Sequence, residues 1–198
     1  GAPFSERSMN EKGLVIVSSS LTKETNVETL LLQHSIAQRM AIEQCATVDE
    51  ALDLLEGLPI VCSYMAADAE GNLEGLQKTQ AGSTRHHPKD GWLALANNIV
   101  DDELRDKTLE LGLEERRLEH SLKRLQAAED ILASEAGHFS VNSLRRVLSS
   151  HENYPNSICN DANGTNVIAE PARDPDHFLI AERFACRHPF EKYAVAED

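Results

Sequence analysis

Leu14, Val15, Ile16 and Val17 form an unbroken apolar run between the polar turn Met9-Asn10-Glu11-Lys12-Gly13 and the serines Ser18, Ser19 and Ser20. An apolar run without alternation predicts a strand covered on both faces. Helical spacing follows. Thr25 and Glu28 are placed as a capping box for a helix that turns Leu30, Leu31, His34, Ala37 and Ala41 to one side, with His34 at the rim. Thr47 and Glu50 repeat the device for a second helix, Val48 to Leu55, which Gly57 and Pro59 stop.

From Ile60 the pattern becomes extended. Ile60 to Ala67 predicts a strand, Asp68-Ala69-Glu70-Gly71-Asn72 a turn, and Leu73 to Thr79 a returning strand. A polar loop with Arg85, His86, His87 and Pro88 leads to Gly91, and Trp92 to Ala96 then predicts a third central strand, buried on both faces. Asp101 or Asp102 caps the next stretch, mainly helical to Gly137 and interrupted at Gly112. Leu118, Leu122, Leu125 and Leu132 recur there at helical spacing, while Glu114, Glu115, Arg116, Arg117, Lys123 and Arg124 read as a solvated charged face. Phe139, Ser140 and Leu144 read as a hydrophobic staple around an N-cap, opening a helix from Val141 to Ser149. Thr165 to Glu170 and Phe178 to Phe184, joined by the turn Ala172 to Asp176, predict a closing hairpin. Helices grouped between antiparallel strand pairs indicate an α+β layered fold.

The candidate chemistry is sparse. Asn97 and Asn98 end the Trp92 run, where a side-chain amide can donate two hydrogens to a carbonyl oxygen without carrying charge. Taken alone, Asn97 reads as a satisfied strand-end residue. His151 and Cys159 are close enough in sequence to suggest a thiol–imidazole nucleophile pair, against the plainer reading of a surface loop running into a buried cysteine. Adjacent side chains in a loop diverge, so His86 and His87 are not expected to bind zinc, and no metal site or cofactor is expected elsewhere.

The 198 residues suit a single domain, with residues 1–8 read as polar and partly an added remnant. A hydrophobic share of 41% and a charged share of 26% are those of an ordinary globular chain. The net charge of −14 argues against nucleic acid and anionic membranes as partners. Cys45, Cys62, Cys159 and Cys186 are widely spaced, with no Cys-x-x-Cys pair, and read as reduced thiols of a cytoplasmic protein. Cys62 is expected to be inert, and Cys159 more reactive.

The order of several short segments carries a resemblance. They are Met9-Asn10-Glu11-Lys12-Gly13-Leu14, Ala46-Thr47-Val48-Asp49-Glu50-Ala51 and Ala67-Asp68-Ala69-Glu70-Gly71-Asn72. Ala96-Asn97-Asn98 follows, then Asn153-Tyr154-Pro155-Asn156-Ser157-Ile158-Cys159 and the tail Cys186-Arg187-His188-Pro189-Phe190. In this order the chain, from Met9 onward, resembles the acyl-CoA:isopenicillin N acyltransferase family of N-terminal-nucleophile hydrolases, also called linear amide C–N hydrolases. The resemblance implies an αββα sandwich and hydrolysis or transfer of acyl groups at amide bonds. It implies a cysteine freed as a new N-terminus, whose own α-amino group is the general base. It also implies that Asn97, matching the Asn of the family's Thr-Asn-His segment, helps to bind the oxyanion.

Three departures shape the expectation. The family's nucleophile precedes the Met-Asn-Glu-Lys-Gly turn, and no cysteine stands before Met9 here; Asn98 replaces the usual His, and Asn160-Asp161 replace basic residues. The fold is therefore expected to be incomplete at its N-terminus. Three readings stand. The first is an acyl-transferring member, inactive by itself, acting on a small-molecule amide or acyl donor with its nucleophile on another segment or chain. The second is a noncatalytic binding or scaffold protein on the same fold, and the third a Cys159–His151 thiol hydrolase.

Overall fold

The computed structural model describes residues 7–22, 31–115, 118–161 and 164–194. Five antiparallel strands form the larger sheet in sequence order: β1 (Arg7–Met9), β2 (Val15–Ser19), β3 (Cys62–Ala67), β4 (Leu73–Thr79) and β5 (Gly82–His86). Between β2 and β3 the chain leaves the sheet as α1 (His34–Gln44) and α2 (Val48–Gly57), which cover one face. The alternation that a strand imposes sorts the residues. Leu14 and Ile16, then Cys62, Tyr64 and Ala66, then Leu76 point to the helices and join Ala37, Ala41, Leu52 and Leu55 in the main core.

Polar side chains lock these layers. Asn10, in the β1–β2 turn, donates from Nδ2 to the carbonyls of Ile42 and Cys45, both at 2.9 Å, and accepts at Oδ1 from the N–H of Lys12 and Leu14. One amide therefore closes the turn and satisfies carbonyls at the end of α1 that have no intrahelical partner. Gly13 takes φ +78°, and a Cβ there would lie 2.8 Å from that of Ala69. The carboxylate of Asp68 receives the N–H of Val48 at the start of α2, the N–H groups of Glu70 and Asn72, and the Asn72 amide. Thr47 and Glu50 form the expected capping box. The Thr25–Glu28 box lies outside the described residues, and α1 starts after Gln33 without a side-chain cap.

The Trp92–Ala96 expectation fails. Trp92 makes one isolated bridge to Lys89, and residues 93–96 belong to no ladder and are only partly buried. The place beside β4 goes to β5, which includes Arg85 and His86 and whose polar sequence predicts a loop. Leu93 and Leu95 instead lie over the sheet at Gly75, where a Cβ would come within 3.1 and 2.7 Å of their terminal methyls. The run is apolar because it covers a glycine on the sheet, not because it pairs as a strand. The Val15 and Met65 strands are central, as expected.

The second half supplies α3 (Asp102–Glu110), capped by the Asp101 carboxylate on the N–H of Leu104, then α4 (Leu118–Ser134) and α5 (Val141–Leu148), capped by Ser140 with Ser143. On α4 the buried stripe is Ser121, Leu125, Ala127 and Leu132, and Leu118 and Leu122 are exposed. Leu144 is also exposed, so the staple expected around Ser140 is not closed on that side. A three-stranded antiparallel sheet completes the chain: β6 (Thr165–Glu170), β7 (Asp174–Glu182) and β8 (Glu191–Ala194), with an irregularity at Ala169 and Glu170. The final hairpin is as expected, but β7 begins at Asp174 inside the stretch read as turn, and the tail contributes β8.

Candidate active site

The segment Ala96 to Val100 is irregular, yet its polar groups are tied on several sides. Ser19 donates its hydroxyl to the carbonyl of Ala96 at 3.1 Å, and Gln77 on β4 donates to the carbonyl of Asn98 at 2.8 Å. The same Gln77 accepts the N–H of Val100, and Glu115 accepts the N–H of Ile99. Asn98 is buried, and its side-chain oxygen accepts from Ser121 on α4 at 2.8 Å. Its position thus serves packing between the sheet and α4.

Asn97 sits between the two. Its Nδ2 donates to the carbonyl of Ser20, just past the end of β2, at 2.8 Å, and its Oδ1 accepts from the Arg124 guanidinium at 2.8 Å. A cation donating to an amide oxygen draws electron density from the amide nitrogen and makes its N–H groups better donors. Of the two hydrogens on Nδ2, one is directed at Ser20; the second meets no acceptor among the described residues. Arg124, which the charge pattern assigned to a solvated face, is therefore part of this arrangement. Nothing in the helical spacing distinguished it from Lys123, which pairs with Glu119 on the surface.

The thiols are disposed differently from the sequence expectation. Cys62 is fully buried and its sulfur donates to the carbonyl of Ser19 at 3.1 Å, which agrees with an inert role. Cys159 is also fully buried, and burial, the largest influence on it, pushes its pKa up. The exposed thiol is Cys186. His151 directs Nε2 at the Cys186 sulfur, 3.1 Å away, and the sulfurs of Cys186 and Cys159 are 3.6 Å apart. The structure brings His151 and Cys159 into one cluster, but the imidazole bonds to Cys186, so the proton transfer that a Cys159–His151 enzyme requires is not in place. The cluster was invisible in sequence because Cys186 lies 35 residues beyond His151. His86 and His87 do not converge: His87 faces Glu74, and desolvation holds the pKa of His86 down.

An open cleft of about 260 Å³ lies elsewhere, between the Asp68 turn and the β6–β7 turn, lined by Ala67, Asp68, Asn72, Glu170 and Arg173 among others. Ala67 pairs with Val15 at one end of β2, whereas Asn97 is bonded at Ser20 beyond the other. Five residues of strand separate the two by roughly 16 Å. The cleft and Asn97 are therefore distinct features. No helix among the described residues is long and apolar enough to cross a membrane.

Comparison with known proteins agrees with the fold. Two variants of a conjugated bile acid hydrolase from Clostridium perfringens superpose with TM-scores of 0.52 and 0.54 at 9% sequence identity, each alignment covering 98% of this chain and 78% of theirs. A penicillin V acylase from Agrobacterium tumefaciens aligns over 100% of this chain and 65% of its own at 17% identity, with a TM-score of 0.46. No curated protein matches the chain in sequence. The fold mixes helices and sheets, α+β, and is that of the N-terminal-nucleophile hydrolases. The sequence model of one family, described as acyl-coenzyme A:6-aminopenicillanic acid acyl-transferase, matches residues 4–168, which include β2, Asn97, Arg124 and Cys159. The chain belongs to that acyl-transferase family.

Proposed function

We propose that this chain is the oxyanion-binding portion of an enzyme that cleaves or transfers acyl groups at linear amide bonds, and that the nucleophile is a cysteine on a segment outside these 198 residues. The observation that carries the reading is Asn97, an amide fixed by Arg124 and by the Ser20 carbonyl, with one donor hydrogen that meets no acceptor among the described residues, beside the end of β2. Membership of an acyl-transferase family, and the likeness in fold to hydrolases of conjugated bile acids, support it.

The chemistry then divides between two parts. A thiol on the outside segment gives its proton to its own α-amino group and attacks the substrate carbonyl carbon. The carbonyl π electrons move to oxygen, where Asn97 Nδ2–H meets the developing charge. Collapse breaks the C–N bond, the amine leaves with the proton, and the acyl group remains as a thioester for water or a second amine. Arg124 is a positioning residue: it orients the Asn97 amide and strengthens its donors without touching substrate.

Cys159 does not replace that nucleophile. It is sealed from solvent, burial favours its neutral thiol, and as an internal residue it carries no free α-amino group of its own. The test uses the purified chain with penicillin V, a glycine-conjugated bile acid and a fatty-acyl amide. No turnover above the uncatalysed rate is expected. Turnover that disappears in Cys159→Ser would overturn the division. In a full-length polypeptide carrying its N-terminal cysteine, Asn97→Ala is expected to lower kcat by about 10²–10³-fold with little change in KM.

A further inference from the structure

The His151, Cys159 and Cys186 cluster has no part in the acyl chemistry above, and it is the one place among the described residues where at least three metal-ligating atoms converge, all within 4.8 Å of one another. We propose that these three side chains form a zinc-binding site, with His151 Nε2 and the two cysteine sulfurs as ligands and the fourth position left to water.

The separations are within a few tenths of an ångström of those in a tetrahedral zinc site. Zinc–sulfur bonds of about 2.3 Å and a zinc–nitrogen bond of about 2.0 Å place two sulfurs roughly 3.8 Å apart and nitrogen roughly 3.5 Å from each sulfur. The sulfurs here are 3.6 Å apart, and Nε2 is 3.1 Å from Cys186. Two thiolates and an imidazole form a soft-to-borderline donor set, which suits zinc and disfavours magnesium or calcium.

The backbone builds the site from three segments. His151 follows α5, and the N–H of Cys159 returns to the carbonyl of Ser150 at 2.9 Å, so the intervening loop closes on itself beside the imidazole. Within that loop Ser157 donates to the carbonyl of Cys159, and Asn160 donates to that of Ser157. Cys186 lies in a tight turn after β7, where the N–H groups of Arg187 and His188 both reach the carbonyl of Phe184.

Binding is balanced without an oxidant. Zinc displaces the protons of Cys159 and Cys186 to solvent, histidine binds neutral, and the two thiolates cancel the charge of the ion. The result is a cross-link between the end of α5, its following loop and the β7–β8 connection. A disulfide between Cys159 and Cys186 is the competing chemistry. It would use only two members of the cluster and leave His151 without a role.

The experiment is a titration of the reduced, metal-free chain with Co²⁺ and then Zn²⁺. The expected result is one cobalt per chain, with visible ligand-field bands of a tetrahedral ion and a near-ultraviolet thiolate-to-cobalt charge-transfer band, both removed by stoichiometric zinc. His151 and Cys186 are exposed, so His151→Ala and Cys186→Ser leave the core intact. Each should weaken cobalt affinity by at least the roughly 10–100-fold that loss of an outer-sphere partner costs. Absence of the charge-transfer band overturns the proposal, as does affinity unchanged in both variants or in His151→Ala alone. A Cys159–Cys186 disulfide in protein that binds no cobalt after reduction overturns it in favour of the competing chemistry.

Discussion

Asn10→Ala removes four hydrogen bonds with the loss of one amide, and the structure sets the scale of the damage. The carbonyls of Ile42 and Cys45 lose their 2.9 Å donors, and the N–H groups of Lys12 and Leu14 lose an acceptor at 3.1 and 3.0 Å. Lys12 is exposed, and water can replace the acceptor there; the other three bonds are buried. At about 1 kcal/mol net for each buried bond, with more for any group left unpaired, the substitution should cost about 3–4 kcal/mol. For a chain of this size that lowers Tm by roughly 6–16 °C. Asn10→Asp separates donor loss from acceptor loss. Its carboxylate still accepts from Lys12 and Leu14 but faces two carbonyl oxygens, which raises its folded pKa above the unfolded value. The deficit is then fully present at neutral pH and shrinks as pH falls and the carboxyl gains a proton that it can donate. Urea unfolding at several pH values reads both effects at an unchanged m-value. A cost under 1 kcal/mol for Asn10→Ala, or a pH-independent deficit for Asn10→Asp, would show that the turn is not held by this amide.

Asp68 gives a pH test of opposite sign. Burial raises its pKa, but the Asn72 side chain and the N–H groups of Val48, Asn72 and Glu70 outweigh it and leave the pKa lowered. The stabilisation is therefore present above the unfolded value near 3.9 and is lost as pH falls through the lower folded value. Asp68→Asn should cost about 2 kcal/mol at pH 7, with the gap to wild type narrowing below about pH 4; an equal gap at pH 7 and pH 3 refutes this. For the thiols, iodoacetamide labelling of the reduced, metal-free chain should modify Cys186 first and leave the buried Cys45, Cys62 and Cys159 for the unfolded state. Earlier modification of Cys159 would contradict its burial.

Where one local interaction decides the structure, the sequence was readable. The Thr47–Glu50 capping box and the Asp68 to Asn72 turn each follow from side chains a few residues apart, and the Leu14 run needed only its apolar faces. β5 was not readable because a helix meets its polar residues. Ser83 and Arg85 bond to Glu56 on α2, and Arg85 also pairs with Asp53, so the alternation of a strand is written in charges. The Trp92 run misled for the opposite reason, since its leucines fill the space over Gly75 and imitate a buried strand. At the site, the pair of amides Asn97 and Asn98 was legible as a pair of residues. Arg124 and Cys186 were not, because each acquires its role from a partner 27 or 35 residues away.

The assignment of an oxyanion-binding role to Asn97, with the nucleophile carried on another segment, meets its most direct test in the protein from its native source. Intact mass and N-terminal sequencing of that material, together with amide hydrolysis, report whether the active polypeptide begins with cysteine. The expected result is an N-terminal cysteine on a segment associated with residues 7–194, and loss of hydrolysis when that cysteine is alkylated. An active native protein with no N-terminal cysteine, in which alkylation leaves hydrolysis intact, would contradict it.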